Sequence, residues 1–153
     1  MRVSKKLEYA VRALMYMASK EEGGVFLIRD IARENGIPKK FLELILLDLK
    51  NAGLLSSKRG VSGGYSFLVP PSEMTLYQVY RAVEGEIDPT ECMREMREKC
   101  EGLADPTWCA LKAVMEDLKK QIEEMLSRWT IKKIVDLERE LKAKSGENYM
   151  FYI

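Results

Sequence analysis

Three cysteines, Cys92, Cys100 and Cys109, stand close together in a chain of 153 residues that has no histidine. Their spacing is Cys92-x7-Cys100-x8-Cys109. Three thiols cannot all pair within one chain. Glu8 and Arg12 interrupt the apolar core that a secretory signal would need, so the chain is expected in the cytoplasm. There, clustered cysteines point to metal or redox chemistry ahead of a structural disulfide. The absence of histidine removes the commonest general base and every serine–histidine triad. A cysteine-dependent redox enzyme ranks low, with no Cys-x-x-Cys motif and no imidazole to activate a thiol.

A second stretch with chemical content is "KRGVSGGYSF" at residues 58–67. Lys58 and Arg59 precede Gly60, Gly63 and Gly64, and an aromatic–apolar run follows. A loop that cradles phosphates follows a strand, opens a helix and ends in Gly-Lys-Ser/Thr. This one opens no helix and has no Gly-Lys-Ser/Thr. It lies between two short segments, "LLSSK" and "YSFLV", that read as strands. The charged tip of a hairpin that touches nucleic acid is the better reading. Glycines would let its backbone turn tightly and approach a duplex.

The elements that would position this hairpin can be read from caps and periodicity. Ser4 is placed to cap a helix running to about Ala18, with Leu7, Val11, Leu14 and Ala18 on one face. A second helix fits "LIRDIARENG", closed by Gly36. A third fits "KKFLELILLDLKNAG", stopped at Gly53. On this third helix Phe41, Leu44, Ile45, Leu47 and Leu49 are expected in the core. "PP" at 70–71 ends the second strand, and "TLYQVYRAVEG" reads as a helix behind a Thr75 cap.

Helix, short turn, helix, hairpin is the order of a winged helix-turn-helix, whose second helix enters the major groove. Lys39 and Lys40 sit where such a helix points into the groove, and Glu43 can accept from a cytosine amino group. Lys58 and Arg59 would meet phosphates or the minor groove. Solvated surface charge is the alternative for each, and the preferred one for Lys50.

The C-terminal half differs. Asp105-Pro106 reads as a helix start. Trp108, Leu111, Met115, Leu118, Ile122, Met125 and Trp129 then follow a strict heptad seam. "TIKKIVDLERELKAKSG" fits a further helix, and "ENYMFYI" a tail. The overall net charge of +1 hides an asymmetry. Residues 1–85 hold 13 Lys/Arg against 9 Asp/Glu, and residues 86–153 hold 12 against 15. The N-terminal half is the expected partner of an anion. With 46% hydrophobic and 32% charged residues the chain reads as globular, and no apolar run reaches the ~18 residues of a membrane span. The expected class is mainly α with a small β-hairpin. It would comprise a winged helix-turn-helix over 1–85, a cysteine-bearing segment over 86–106, and a dimerisation helix with a C-terminal helix or tail over 107–153.

Three segments carry a resemblance. "SKKLEYAVRALMYMA", "IPKKFLELILLDLKNAGLLSSKRGVSGGY" and "MTLYQVYRAVEG" resemble the IscR/NsrR-type winged-helix transcription regulators of the Rrf-type family, over roughly residues 1–135. The resemblance implies a homodimer joined by the long helix, here residues 108–129, acting on a double-stranded DNA operator. In many members it also implies an iron–sulfur cluster held by three cysteines, here Cys92, Cys100 and Cys109. A two-iron two-sulfur cluster is favoured, with four-iron four-sulfur as the alternative. An acidic residue on the first helix reaches the cluster across the dimer in similar regulators, which makes Glu8 the candidate fourth ligand. Its alternative is a surface pair with Arg12 at i, i+4. The cysteine gaps are wider than is usual in cluster-binding relatives. Zinc ranks lower, since structural zinc sites use short Cys-x2–4-Cys pairs. A redox-sensing thiol set, a cluster-free regulator and a helical protein–protein adaptor complete the alternatives.

Overall fold

The structure is a computed structural model that describes residues 4–20, 24–58, 60, 63–88 and 109–149. Six helices and one two-stranded hairpin occur among them. The first helix, α1 (Lys5–Ser19), starts where Ser4 Oγ accepts from the Leu7 N–H at 3.1 Å. Its buried face is Leu7, Ala10, Ala13, Leu14 and Met17. Val11 and Ala18 lie at the edge of the core, so the face is turned slightly from the expected one. Ala10 and Ala13 are small enough to bring α2 (Ile28–Asn35) and α3 (Lys39–Asn51) close to α1.

The stops of α2 and α3 share one geometry. Gly36 and Gly53 take φ of 61° and 74°, a conformation glycine adopts at no steric cost. In each case the glycine N–H and the next N–H turn back to carbonyls of the last turn. Gly36 bonds to Arg33 O and Ile37 to Ala32 O. Gly53 bonds to Lys50 O and Leu54 to Leu49 O. This is the Schellman arrangement, with a buried apolar residue, Ile37 or Leu54, directly after the glycine. It fixes the short turn between α2 and α3 and the exit of α3 into the hairpin.

The core-facing side of α3 is Leu42, Ile45, Leu46 and Leu49. Phe41 is half-buried and meets Tyr9 of α1 edge-to-face at 5.8 Å. Leu44 and Leu47, expected in the core, are exposed. The run "LELILLDL" offers apolar residues to both sides of the helix, and packing against α1 and α4 selects the other pair.

The hairpin pairs β1 (Leu55–Lys58) with β2 (Gly64–Phe67) antiparallel, Leu55 opposite Phe67 and Lys58 opposite Gly64. Ser56 and Ser66 hydrogen-bond across it at 2.8 Å. A one-residue third strand, of which periodicity gives no sign, joins its edge. Phe26 and Tyr65 exchange both backbone hydrogen bonds, at 2.8 and 2.9 Å. The second strand ends before the expected "LV", because the N–H groups of Leu68 and Val69 both turn to Leu54 O.

Thr75 caps α4 (Leu76–Glu84) in a capping box with Gln78. The long helix α5 (Ala110–Arg128) packs on α4. Its expected start at Asp105-Pro106 lies outside the described residues. The last helix, α6 (Ile131–Tyr149), returns to α1 and buries Ile131 and Val135. It runs through Gly146, past the expected stop. The α5–α6 junction is tied to the turn before α4, where the Leu76 N–H donates to Trp129 O and the Ile131 N–H to Met74 O. Among the described residues no helix is long and apolar enough to cross a membrane.

Candidate nucleic-acid interface

The hairpin folds back beside the start of α3, and an open cleft of about 440 Å³ lies between them. Lys39 and Glu43 line it from α3. Lys58, Gly60, Gly63 and Gly64 line it from the hairpin. Six of the expected DNA-contacting residues therefore share one cleft. Lys40 is exposed on α3 but outside the cleft lining, and Arg59 falls outside the described residues. The only ion pairs of α3 among the described residues are Lys39–Glu43 at 3.9 Å and Lys6–Asp48 at 2.8 Å. The first lies inside the cleft and the second fastens α3 to α1.

The hairpin glycines have different reasons. Gly60 has φ of 110° and accepts from the Gly63 N–H at 2.9 Å, closing the tip. Gly64 is required from behind, since a Cβ there would sit 2.4 Å from the Phe26 carbonyl oxygen. Arg29 and Tyr65 also line the cleft, and periodicity and motif did not single them out. Arg29 opens α2 with a largely exposed side chain beside Asp30. Its signal was its place at the start of the helix that crosses the DNA backbone in this motif. Tyr65 stands in β2 opposite Ser57, one pair in from the tip end of the hairpin. Burial raises its phenol above the usual range, and the Glu43 carboxylate adds to the effect.

The cysteines are placed only in part. Cys109 is half-buried at the N-cap of α5, and Cys92 and Cys100 lie outside the described residues. Among the described residues no three Cys, Asp or Glu side chains converge on a metal-sized point. Glu8 is paired within the chain with Lys5 at 2.7 Å and Arg12 at 3.8 Å. The Lys5 hydrogen bond holds its carboxyl below the ordinary carboxylate range.

The seam helix is divided. Leu111, Leu118, Met125 and Trp129 are exposed, and Val114 joins them. Met115 and Ile122 are partly covered, and Leu126, which the heptad omitted, is buried. Trp108 lies outside the described residues.

A helix, a glycine-stopped turn, a second helix and a hairpin set beside that helix's start define a winged helix-turn-helix protein. Residues 3–137 match the Rrf2 family, described as "Iron-dependent Transcriptional regulator", and the chain belongs to that family. It is 33% identical over 141 residues to the HTH-type transcriptional regulator IscR of Photorhabdus laumondii, across 92% of this chain and 83% of that one. IscR of T. potens has the same fold with a TM-score of 0.70 at 28% identity, across 99% of this chain and 97% of that one. CymR, the global cysteine regulator of B. subtilis, follows at 0.68 and 26%, across 90% and 98%. The family consists of transcriptional regulators, not enzymes, and its work is at DNA.

Proposed function

We propose that the chain is a dimeric regulator that seats α3 and the β1–β2 hairpin on a double-stranded operator and reports iron–sulfur, redox or nitric-oxide status through Cys92, Cys100 and Cys109. The observation that carries the DNA contact is the single cleft holding Lys39, Glu43, Lys58 and the tip glycines. In this reading residues 1–85 bind DNA, residues 86–106 carry two of the thiols, and residues 107–153 supply the dimer helix and the helix that returns to α1. Lys39, Lys40, Lys58 and Arg59 serve phosphates or groove edges, and Glu43 serves a base. The protein acts where the DNA is, in the cytoplasm.

The sensing role rests on the likeness to IscR and on the donor set. Three thiolates are the soft ligands that iron–sulfur centres use, and these want four ligands. Glu8 of the partner subunit is the proposed fourth. Its carboxylate is a harder donor that Lys5 and Arg12 already compete for, so it would be readily released. A cluster held there would supply redox and ligand-exchange chemistry that the side chains alone lack. A cluster-free thiol regulator is the second reading, supported by the likeness to a relative named for cysteine.

Anaerobic reconstitution with iron and sulfide tests the choice. The expected result is coloured protein with bound iron and sulfide, and loss of the colour when any one of the three cysteines becomes Ala. Protein that stays colourless and metal-free rejects the cluster and leaves the thiol reading.

A further inference from the structure

Leu44 and Leu47 are 57% and 42% exposed on α3, opposite the fully buried Leu42, Ile45, Leu46 and Leu49. At about 100° per residue, Leu47 lies on the same outward strip as Glu43 and Lys40, and Leu44 lies just beyond Lys40. Cations outnumber carboxylates around the strip, where Glu43 and Asp48 are paired with Lys39 and Lys6. Lys39 and Lys40 stand at its start, Lys50 at its end, and Lys58 across the cleft from Glu43. An apolar pair in a surround of net positive charge is poorly suited to a second copy of itself, because the two surrounds would repel. It suits a polyanion that presents apolar groups on its floor. The major groove of DNA is such a surface, and the one apolar group on its base edges is the C5-methyl of thymine.

We propose that Leu44 and Leu47 read thymine by packing against C5-methyl groups in the major groove. This rests on the DNA-binding reading above and adds base specificity to it. Leucine has no donor or acceptor for the other base edges, so the preference is for thymine rather than for A·T pairs in general. Glu43 precedes Leu47 by one helical turn, a rise of about 6 Å. The preferred thymines should therefore lie within one or two base steps of any cytosine that Glu43 reads.

The test uses the full-length chain and an operator selected from random duplexes. Each thymine is replaced singly by uracil, which removes only the methyl. One or two positions per half-site should lose about fourfold in affinity, the weight of one apolar carbon. Leu44→Ala and Leu47→Ala should each abolish the sensitivity at one position. Both should leave the salt dependence intact, since no phosphate contact is lost, and both should melt as wild type. The inference is overturned if the selected operator holds no thymine near its centre of contact. It is likewise overturned if every uracil duplex binds normally, or if the alanine variants keep the sensitivity. In those outcomes salt-dependent DNA binding survives and only the leucine role is lost. Failure of any duplex to bind in a salt-dependent way removes the DNA reading and this inference with it. A change in sedimentation of either variant without DNA would instead assign the leucines to a protein interface.

Discussion

Two helices of this chain leave large apolar side chains in water, and their surroundings differ. On α3 the exposed pair Leu44 and Leu47 sits among Lys39, Lys40, Glu43 and Lys50, next to the basic hairpin. On α5 the exposed set is Leu111, Val114, Leu118 and Met125, extended by Trp129 at the helix end. That row covers most of a 19-residue helix, and its flanks mix both signs in i, i+4 fashion, as in Lys112 and Glu116. A short apolar strip with an excess of cations around it, Lys39, Lys40, Lys50 and Lys58 against Glu43 and Asp48, fits an anionic partner. A long apolar row between balanced flanks fits another such row, which is how a helix meets a second copy of itself. Exposure alone would have grouped the two helices. Charge context separates them.

The largest effect is expected on α5. A fully buried large apolar side chain is worth about 1.5–3 kcal/mol, so the exposed row holds enough energy to decide association. Leu118→Lys with Met125→Lys should yield a folded monomer by sedimentation, with unchanged helical content. Both residues are exposed on the chain, which makes them cleaner probes than the partly covered Ile122. A monomer engages one half-site where a dimer engages two, so operator affinity should fall by about a hundredfold or more. A double variant that sediments as wild type would transfer the row to another role and dissolve the contrast with α3.

The hairpin gives a smaller effect on the DNA side. Gly64→Ala places a Cβ against the Phe26 carbonyl oxygen, a backbone atom held by the Phe26–Tyr65 hydrogen bonds. The strand must shift, at about 1–3 kcal/mol for an overpacked site. The expected result is a lower denaturation midpoint and weaker operator binding, with the dimer intact. Wild-type stability and affinity would mean that the third strand yields freely and that the hairpin does not depend on its position beside α3.

The parts of this fold written in local chemistry are legible in the amino-acid sequence alone. Ser4 and Thr75 cap their helices by their own hydroxyls, and Gly36 and Gly53 stop theirs by conformation, so a few neighbouring residues suffice to recognise each. The choice between Leu42/Leu46 and Leu44/Leu47 is not local. Leucine stands at positions on both sides of α3, and the packing of α1 and α4 decides. Gly64 reads as a wing-tip glycine, yet its constraint comes from Phe26, 38 residues earlier in the chain. The heptad on α5 is real but two-sided. Met115 and Ile122 turn partly toward the rest of the chain and Leu118 and Met125 turn away, a division that spacing does not contain. The cleft is legible from its α3 and hairpin residues, whereas Arg29 has only its place at the start of α2 to mark it.

The smallest effect concerns Glu8, which lies on α1 beside Leu7, Val11, Tyr80 and Leu126, toward the α5 side of the molecule. Its carboxylate is held by Lys5 and Arg12, and the Arg12 guanidinium also donates to Asn35 O at the end of α2. Such exposed pairs contribute little, because water solvates both partners and salt screens them. The hydrogen bond from Lys5 depresses the folded-state value of Glu8. Its contribution is therefore present above the ordinary carboxylate value and is lost as the pH falls through the depressed one. In metal-free protein Glu8→Gln should lower the melting temperature slightly at neutral pH, and the gap to wild type should close in acid as the pH falls through the depressed value. A gap that persists in acid would show that Glu8 acts through packing against its apolar neighbours. The same variant then separates structure from sensing. If Glu8 of the partner subunit is the fourth ligand, Glu8→Gln should shorten the lifetime of the colour of reconstituted protein in air far more than it shifts the melting curve of the metal-free form. Equal behaviour in both assays would leave Glu8 as a surface pair and return the fourth position to another donor.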